Sequence, residues 1–232
     1  MTQLTHEIPG ITAELSSPQK RKIALRFELR GRKYFRALDA MAFAARYHRG
    51  LRKDGLTPEF DHQVTIALYV INLALPEEVL EDLICIILLH DVREDYSDPS
   101  KVPAGEPAVT YAMILALCGQ TVADNVELLS KVTNGVKKEQ AFYFAQIKTS
   151  WMALLVKLCD RMHNLSTMHG AFTRAKQIEY IAEAVNDILP LASYGSNTFS
   201  RYSAAFENVK FIMKLLIALL DKLNAEPVEA TA

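Results

Sequence analysis

The stretch that most limits how this chain can fold is Leu83-Ile84-Cys85-Ile86-Ile87-Leu88-Leu89, which runs straight into His90-Asp91-Val92-Arg93-Glu94-Asp95. A segment that is apolar on every side has to be covered on every side, so it belongs at the centre of a domain. The His-Asp pair at its end is then held rigidly and close to the interior. In a helix, Glu94 lies one turn beyond His90 and Asp95 one turn beyond Asp91, which puts both pairs on neighbouring strips of one face. Three carboxylates and an imidazole so placed repel one another and lose solvation unless a cation sits among them. A divalent metal is the simplest remedy. A lone His-Asp pair at a helix end is usually a cap or a surface pair. The longer pattern behind a buried run is much rarer by accident.

Helical periodicity dominates the rest of the chain. Gln19 to Arg36 is a basic helical stretch carrying Lys20, Arg21, Lys22, Arg26, Arg30, Arg32, Lys33 and Arg36, read as a solvated face after a loose arm at 1–18. Ala37 to Tyr47 spaces Leu38, Met41, Phe43, Ala44, Ala45 and Tyr47 as a buried helix. Gly50 and Gly55 bracket a loop with Arg52 and Lys53. Pro58 precedes a helix from about Phe60 to Leu73, with His62 in its first turn. Pro76 opens the helix that reaches His90, at a position where a missing N–H costs nothing. Asp98-Pro99 and Pro103 to Pro107 break the chain. Helices are expected again at Ala108–Cys118 and Val122–Val132, the latter ended by Thr133-Asn134-Gly135 with Gly135 as a left-handed cap. Lys137 to Asp160 reads as one long pattern, followed by Phe172–Leu189, Arg201–Leu223 and a polar, frayed tail from Asn224. No segment alternates as a strand does. The expected fold is all-α, one domain of roughly eight to ten helices. Residues 1–36 form a basic arm and helix, 37–195 the main domain, and 196–232 a C-terminal helix and tail packed on it.

Composition narrows the function classes. The 26 basic and 27 acidic side chains nearly cancel, so bulk charge argues for neither a nucleic-acid nor a membrane partner. Cys85, Cys118 and Cys159 are odd in number, far apart and set in apolar helices, which suits small buried residues in a reducing cytoplasm. Met1 to Ser17 has no signal-peptide core. The apolar stretch near Phe211–Leu220 is interrupted by Lys214 and falls short of the roughly 20 apolar residues a membrane span needs.

A second constellation repeats the first. In Val156-Lys157-Leu158-Cys159-Asp160-Arg161-Met162-His163-Asn164-Leu165 a buried helix again ends in an aspartate, and Asn164 shares its face one turn on. Asp160 with His62, His90 and Asp91 makes two imidazoles and two carboxylates, a set that leaves room for water on a six-coordinate ion. Imidazole suits zinc, iron or nickel, whereas carboxylate and water suit magnesium or manganese.

Four blocks together resemble the HD-superfamily phosphohydrolases, and within them the hydrolase domain of the RelA/SpoT family and the small alarmone hydrolases, including the metazoan SpoT homologues. They are Arg52-Lys53-Asp54-Gly55 with Thr57-Pro58 leading to His62; His90 to Asp95; Lys157 to Asn164; and Lys176-Gln177 through Pro190-Leu191-Ala192. Order and spacing agree from about Leu38 to Ala192. The resemblance implies that His62, His90, Asp91 and Asp160 bind a metal, usually manganese. It implies that Glu94 and Asp95 handle the attacking water, that Arg52, Lys53 and Asn164 hold the nucleotide and its phosphates, and that Tyr180 contacts substrate. His48 is read as a packed histidine rather than a ligand.

The implied reaction is hydrolysis of guanosine tetra- or pentaphosphate at the ribose 3′-diphosphate, giving GDP or GTP and pyrophosphate. The implied partner is thus a small nucleotide, with no nucleic acid, no membrane and no particular oligomeric state expected. Two alternatives stand beside it: hydrolysis of an adenosine alarmone or a dNTP, and a non-catalytic nucleotide-sensing module. The intact Glu94-Asp95 pair speaks against the sensor. On length, no synthetase domain is expected to follow. The chain departs from the family pattern at Glu59 (usually tyrosine), Gln63 (usually proline), Arg93 (usually small and apolar) and Tyr96 (usually threonine). The Lys53–His62 loop is also shorter than in the metazoan homologues. These departures bear on substrate identity more than on chemistry.

Overall fold

Residues 17–225 are described by a computed structural model. Its helices are α1 (Pro18–Gly31), α2 (Phe35–Tyr47), α3 (Asp61–Ile71), α4 (Glu77–Asp95), α5 (Tyr111–Cys118), α6 (Gln120–Leu129), α7 (Gln140–Ile147), α8 (Trp151–Thr167), α9 (Arg174–Glu183), α10 (Leu189–Thr198) and α11 (Ser203–Ala225). Of the loose arm expected at 1–18, residues 1–16 lie outside the described residues, as does the tail beyond 225, and Pro18 already opens α1.

Helix α4 is the axis of the all-α fold. Every side chain from Leu83 to Leu89 is fully buried, because α2, α3, α6 and α8 pack around it. Encirclement explains why the run shows no polar stripe. Helix α1 lies across α2 and α3, with Leu25 and Leu29 in the core. Its Arg21 forms a two-pronged bond to Asp61, at 2.9 and 2.6 Å. Helix α11 covers α8 and α10 with Phe206, Val209, Met213, Ile217 and Leu220, one per turn. Cys85, Cys118 and Cys159 are free and buried. No helix among the described residues is long and apolar enough to cross a membrane.

Three local features differ from expectation. Asn134-Gly135 does not merely end a helix. Both residues have positive φ, 52° and 78°, the geometry of a two-residue type I′ turn. They join β1 (Val132–Thr133) to β2 (Val136–Lys137) in a short antiparallel hairpin, so the expectation of no strands is corrected. The pattern from Lys137 to Asp160 is two helices, because Ser150 takes an extended conformation and caps α8 by accepting the Ala153 N–H. Residues 172–189 do not form one regular helix either. Beyond α9 the chain makes a π-turn over Ala184–Ile188 before α10. Pro190 explains this: it has no N–H for the carbonyl four residues back, and its ring crowds the preceding turn.

Candidate metal centre

Three elements bring the four anticipated ligands together. His62 comes from the first turn of α3, His90 and Asp91 from the last turns of α4, and Asp160 from the middle of α8. His62 Nε2 lies 3.1 Å from Asp160 Oδ1 and 4.0 Å from Asp91 Oδ2, and His90 Nε2 lies 3.1 Å from Asp91 Oδ2. One donor atom each from His62, His90 and Asp91 falls within 4.8 Å of the others. Asp160 joins this group through His62.

The donors suit a divalent ion. His90 Nδ1 donates to the Ile87 carbonyl at 2.7 Å, which leaves Nε2 as the lone-pair nitrogen. That Nε2 is buried and faces Asp91 Oδ2 at 3.1 Å without the alignment of a hydrogen bond. A metal-ligating histidine is held in the same way, with its second nitrogen bonded to a carbonyl. Burial disfavours charge on His90, but Asp91 and then Asp160 outweigh it and raise the imidazole to about 9. Without a cation, the carboxylates therefore keep a proton on His90. Burial works against Asp160 too, yet Lys157 and His62 hold it well below the usual carboxylate range. Lys157 Nζ reaches Asp160 Oδ2 at 2.9 Å, and Asn164 Nδ2 donates to Oδ1 at 2.7 Å.

Residues 40–193 match the HD domain family. The chain belongs to that family. It is also similar to the GTP pyrophosphokinase rsh of Brucella melitensis, with 27% identity over 66% of this chain and 19% of that protein. A probable chloroplastic GTP diphosphokinase, RSH2 of Arabidopsis thaliana, is 26% identical over 65% of this chain and 21% of its own length. Another, RSH3 of Oryza sativa, is 25% identical over 82% of this chain and 27% of its own length. The match thus spans only a fifth to about a quarter of each relative.

Around the four anticipated ligands stand the other anticipated residues. Arg52 Nη2 donates to Asn164 Oδ1 at 3.0 Å and to Thr167 Oγ1 at 3.3 Å. Lys53 is exposed, with its ammonium 4.8 Å from the centre of the Phe172 ring. Phe172 meets Tyr180 edge-on, and Tyr180 lies under the Arg161 guanidinium at 4.1 Å. Lys53, Phe172, Tyr180 and Arg161 thus form one continuous wall. Glu94 Oε2 accepts the Lys131 N–H at 2.7 Å, which ties the end of α4 to the hairpin segment. Burial raises the Glu94 carboxyl. Burial and the Asp91 charge push Asp95 up to about 7.

Two neighbours of the anticipated ligands were given no place at the centre by the sequence. His163 Nδ1 sits 2.8 Å from His62 Nδ1. Burial and His62 push His163 down to about 3, so it is neutral and its Nδ1 can accept a hydrogen bond from His62 Nδ1–H, the tautomer that leaves His62 Nε2 as the lone-pair nitrogen. Gln63 Nε2 donates to Asp91 Oδ2 at 3.0 Å. His163 is three residues after Asp160 and Gln63 is next to His62, so proximity in sequence to a ligand was the available signal.

Proposed function

We propose that this HD domain is a metal-dependent phosphohydrolase that removes the 3′-diphosphate of guanosine tetra- or pentaphosphate, releasing GDP or GTP and pyrophosphate. The ion is manganese, held by His62, His90, Asp91 and Asp160. The observation that carries this reading is the convergence of donor atoms from His62, His90 and Asp91 within 4.8 Å of one another, with Asp160 3.1 Å from His62 and with His90 and Asp91 one turn before Glu94 and Asp95. Family membership supports phosphoester hydrolysis, and the guanosine nucleotides in the relatives' names support the substrate class.

When bound, the ion supplies Lewis acidity toward a phosphoryl oxygen and makes a water far more acidic than its free pKa of about 15.7. The remaining work falls to side chains. Asp95, raised to about 7, exchanges its proton near neutral pH and suits the task of accepting one from the attacking water. Glu94, fixed by the Lys131 N–H, shares that task and orients the water. A new bond forms from the water oxygen to phosphorus, the bond from phosphorus to ribose O3′ breaks, and O3′ takes up a proton. Arg52, its guanidinium held by Asn164 and Thr167, and Lys53 neutralise the negative charge of the diphosphate under attack. Phe172 and Tyr180 offer ring surface for the base.

Product analysis with manganese-loaded protein and a panel of guanosine and adenosine 3′-diphosphates tests the reading. Pyrophosphate release from the guanosine compounds is expected. Folded, metal-loaded protein that cleaves none of the panel refutes it. A second substrate reading has its own support: Tyr96 donates to Glu59 at 3.3 Å, so two departures from the family pattern meet beside Asp95. Preferential cleavage of the adenosine compounds would favour it.

A further inference from the structure

Beyond the four ligands, a second group of donors converges from three separate elements. His48 caps the end of α2, Glu59 lies in the loop leading to α3, and Asp95 is the last residue of α4. One donor atom from each lies within 4.8 Å of the other two. We propose that His48, Glu59 and Asp95 form a second divalent-cation site, adjacent to the first and sharing no ligand with it.

The hydrogen bonding of His48 is what calls for a ligand. Its side chain is 1% exposed, yet its polar neighbours stand only at long range from Nδ1. Nδ1 stands 3.6 Å from Glu59 Oε1, too far for a hydrogen bond. The Tyr96 hydroxyl is at the outer limit, 3.5 Å away, and Nε2 has no partner at all. A buried imidazole left this way loses its hydration without recompense. The ring is also held in place, stacked on Phe60 and meeting Tyr96 edge-on.

The spacing suits a cation between the groups better than direct contact. First-row ions bind nitrogen and oxygen at about 2.0–2.2 Å, which sets neighbouring donors roughly 3–3.5 Å apart. The gap between His48 and Glu59 is only slightly wider. Glu59 is oriented by Tyr96, which donates to Oε2 and leaves Oε1 toward His48. The backbone N–H of Glu59 bonds to Gly50 O at 2.9 Å and fixes the loop. One imidazole and two carboxylates make a mixed nitrogen–oxygen set of the kind that manganese and its neighbours accept. Asp95 is one helical turn beyond Asp91, so the second cation lies beside the first and adds positive charge where a phosphate would dock.

Counting bound manganese tests the site without reference to turnover. Metal-free protein is dialysed against Mn2+, and metal per chain is read by elemental analysis, with circular dichroism to confirm folding. The parent is expected to hold about two equivalents, and Glu59→Gln and His48→Gln about one each. Glu59→Gln keeps the acceptor for Tyr96. Asp91→Asn is expected to retain the second ion while losing the first. A parent that binds one equivalent, unchanged in Glu59→Gln and His48→Gln but lost in Asp91→Asn, overturns the second site and leaves the first intact. Two equivalents that persist in both folded variants overturn it as well.

Discussion

Raising the pH should tighten metal binding at the four-ligand centre, and the size of the effect follows from His90. In the absence of a cation its imidazole titrates at about 9, so at pH 7 roughly one molecule in a hundred has Nε2 free. An incoming ion must displace that proton. Apparent affinity should therefore rise nearly tenfold per pH unit at first and level off near 9, gaining about 16-fold or about 1.6 kcal/mol between pH 7.5 and 9. Asp95 titrates lower, at about 7, so the upper part of the window belongs to His90. Stability of the metal-free protein should move the other way. The folded value of His90 lies above its ordinary 6.5. Its pairing with Asp91 thus stabilises fully below about pH 6.5 and is lost as pH rises through 9. Calorimetry in buffers of different ionisation enthalpy measures the protons released, expected to be about one per first-site ion at pH 7.5. The second-site variant Glu59→Gln keeps the count simple. A flat affinity between pH 7.5 and 9 with no proton release would refute the assignment of Nε2 as a ligand.

Other perturbations separate holding the ion from cutting the substrate. Asp91→Asn should lose the first-site ion and turnover together, whereas Glu94→Gln should keep metal and nucleotide while turnover falls; removal of a general base costs about 10²–10⁴-fold, and parental rates in both Glu94→Gln and Asp95→Asn would show the catalytic pair misassigned. His163→Phe removes the acceptor at 2.8 Å from His62; metal affinity should drop about 10–100-fold with the fold retained, as measured by competition with a chelator. Chelation should lower Tm, and manganese at a hundred times its Kd should restore about 2.7 kcal/mol. Gly195→Ala should cost about 1–3 kcal/mol in denaturant melts, because a Cβ there would lie 2.5 Å from Phe206 Cε1 at the α10–α11 crossing.

The central helix was legible because its signal is one-dimensional: an unbroken apolar run admits burial and little else. The same holds for the aspartate that ends the second apolar run, and for His62 just after Pro58. What escaped depends on pairings between distant residues. His163 meets His62 across 101 positions, and no periodicity records that. The Asn134-Gly135 turn carried a strong hairpin signal, but the strands it joins are two residues each, too short for alternation to register. His48 is packed as its sequence context suggests, but its approach to Glu59 and Asp95, which come from other elements, leaves no mark in the spacing. The break at Ser150 and the π-turn before Pro190 were each written in one residue, within patterns whose apolar spacing continued across them.

The contact between His62 and Asp160 spans 98 residues, which gives the centre a place in the order of assembly. During synthesis α3 and α4 leave the ribosome with two histidines and Asp91, while Asp160 is still untranslated. Closing so long a loop has an entropic cost that only the packed helices can offset. The complete ligand set therefore exists only after α8 has docked against α4, and metal capture reports a finished fold instead of starting one.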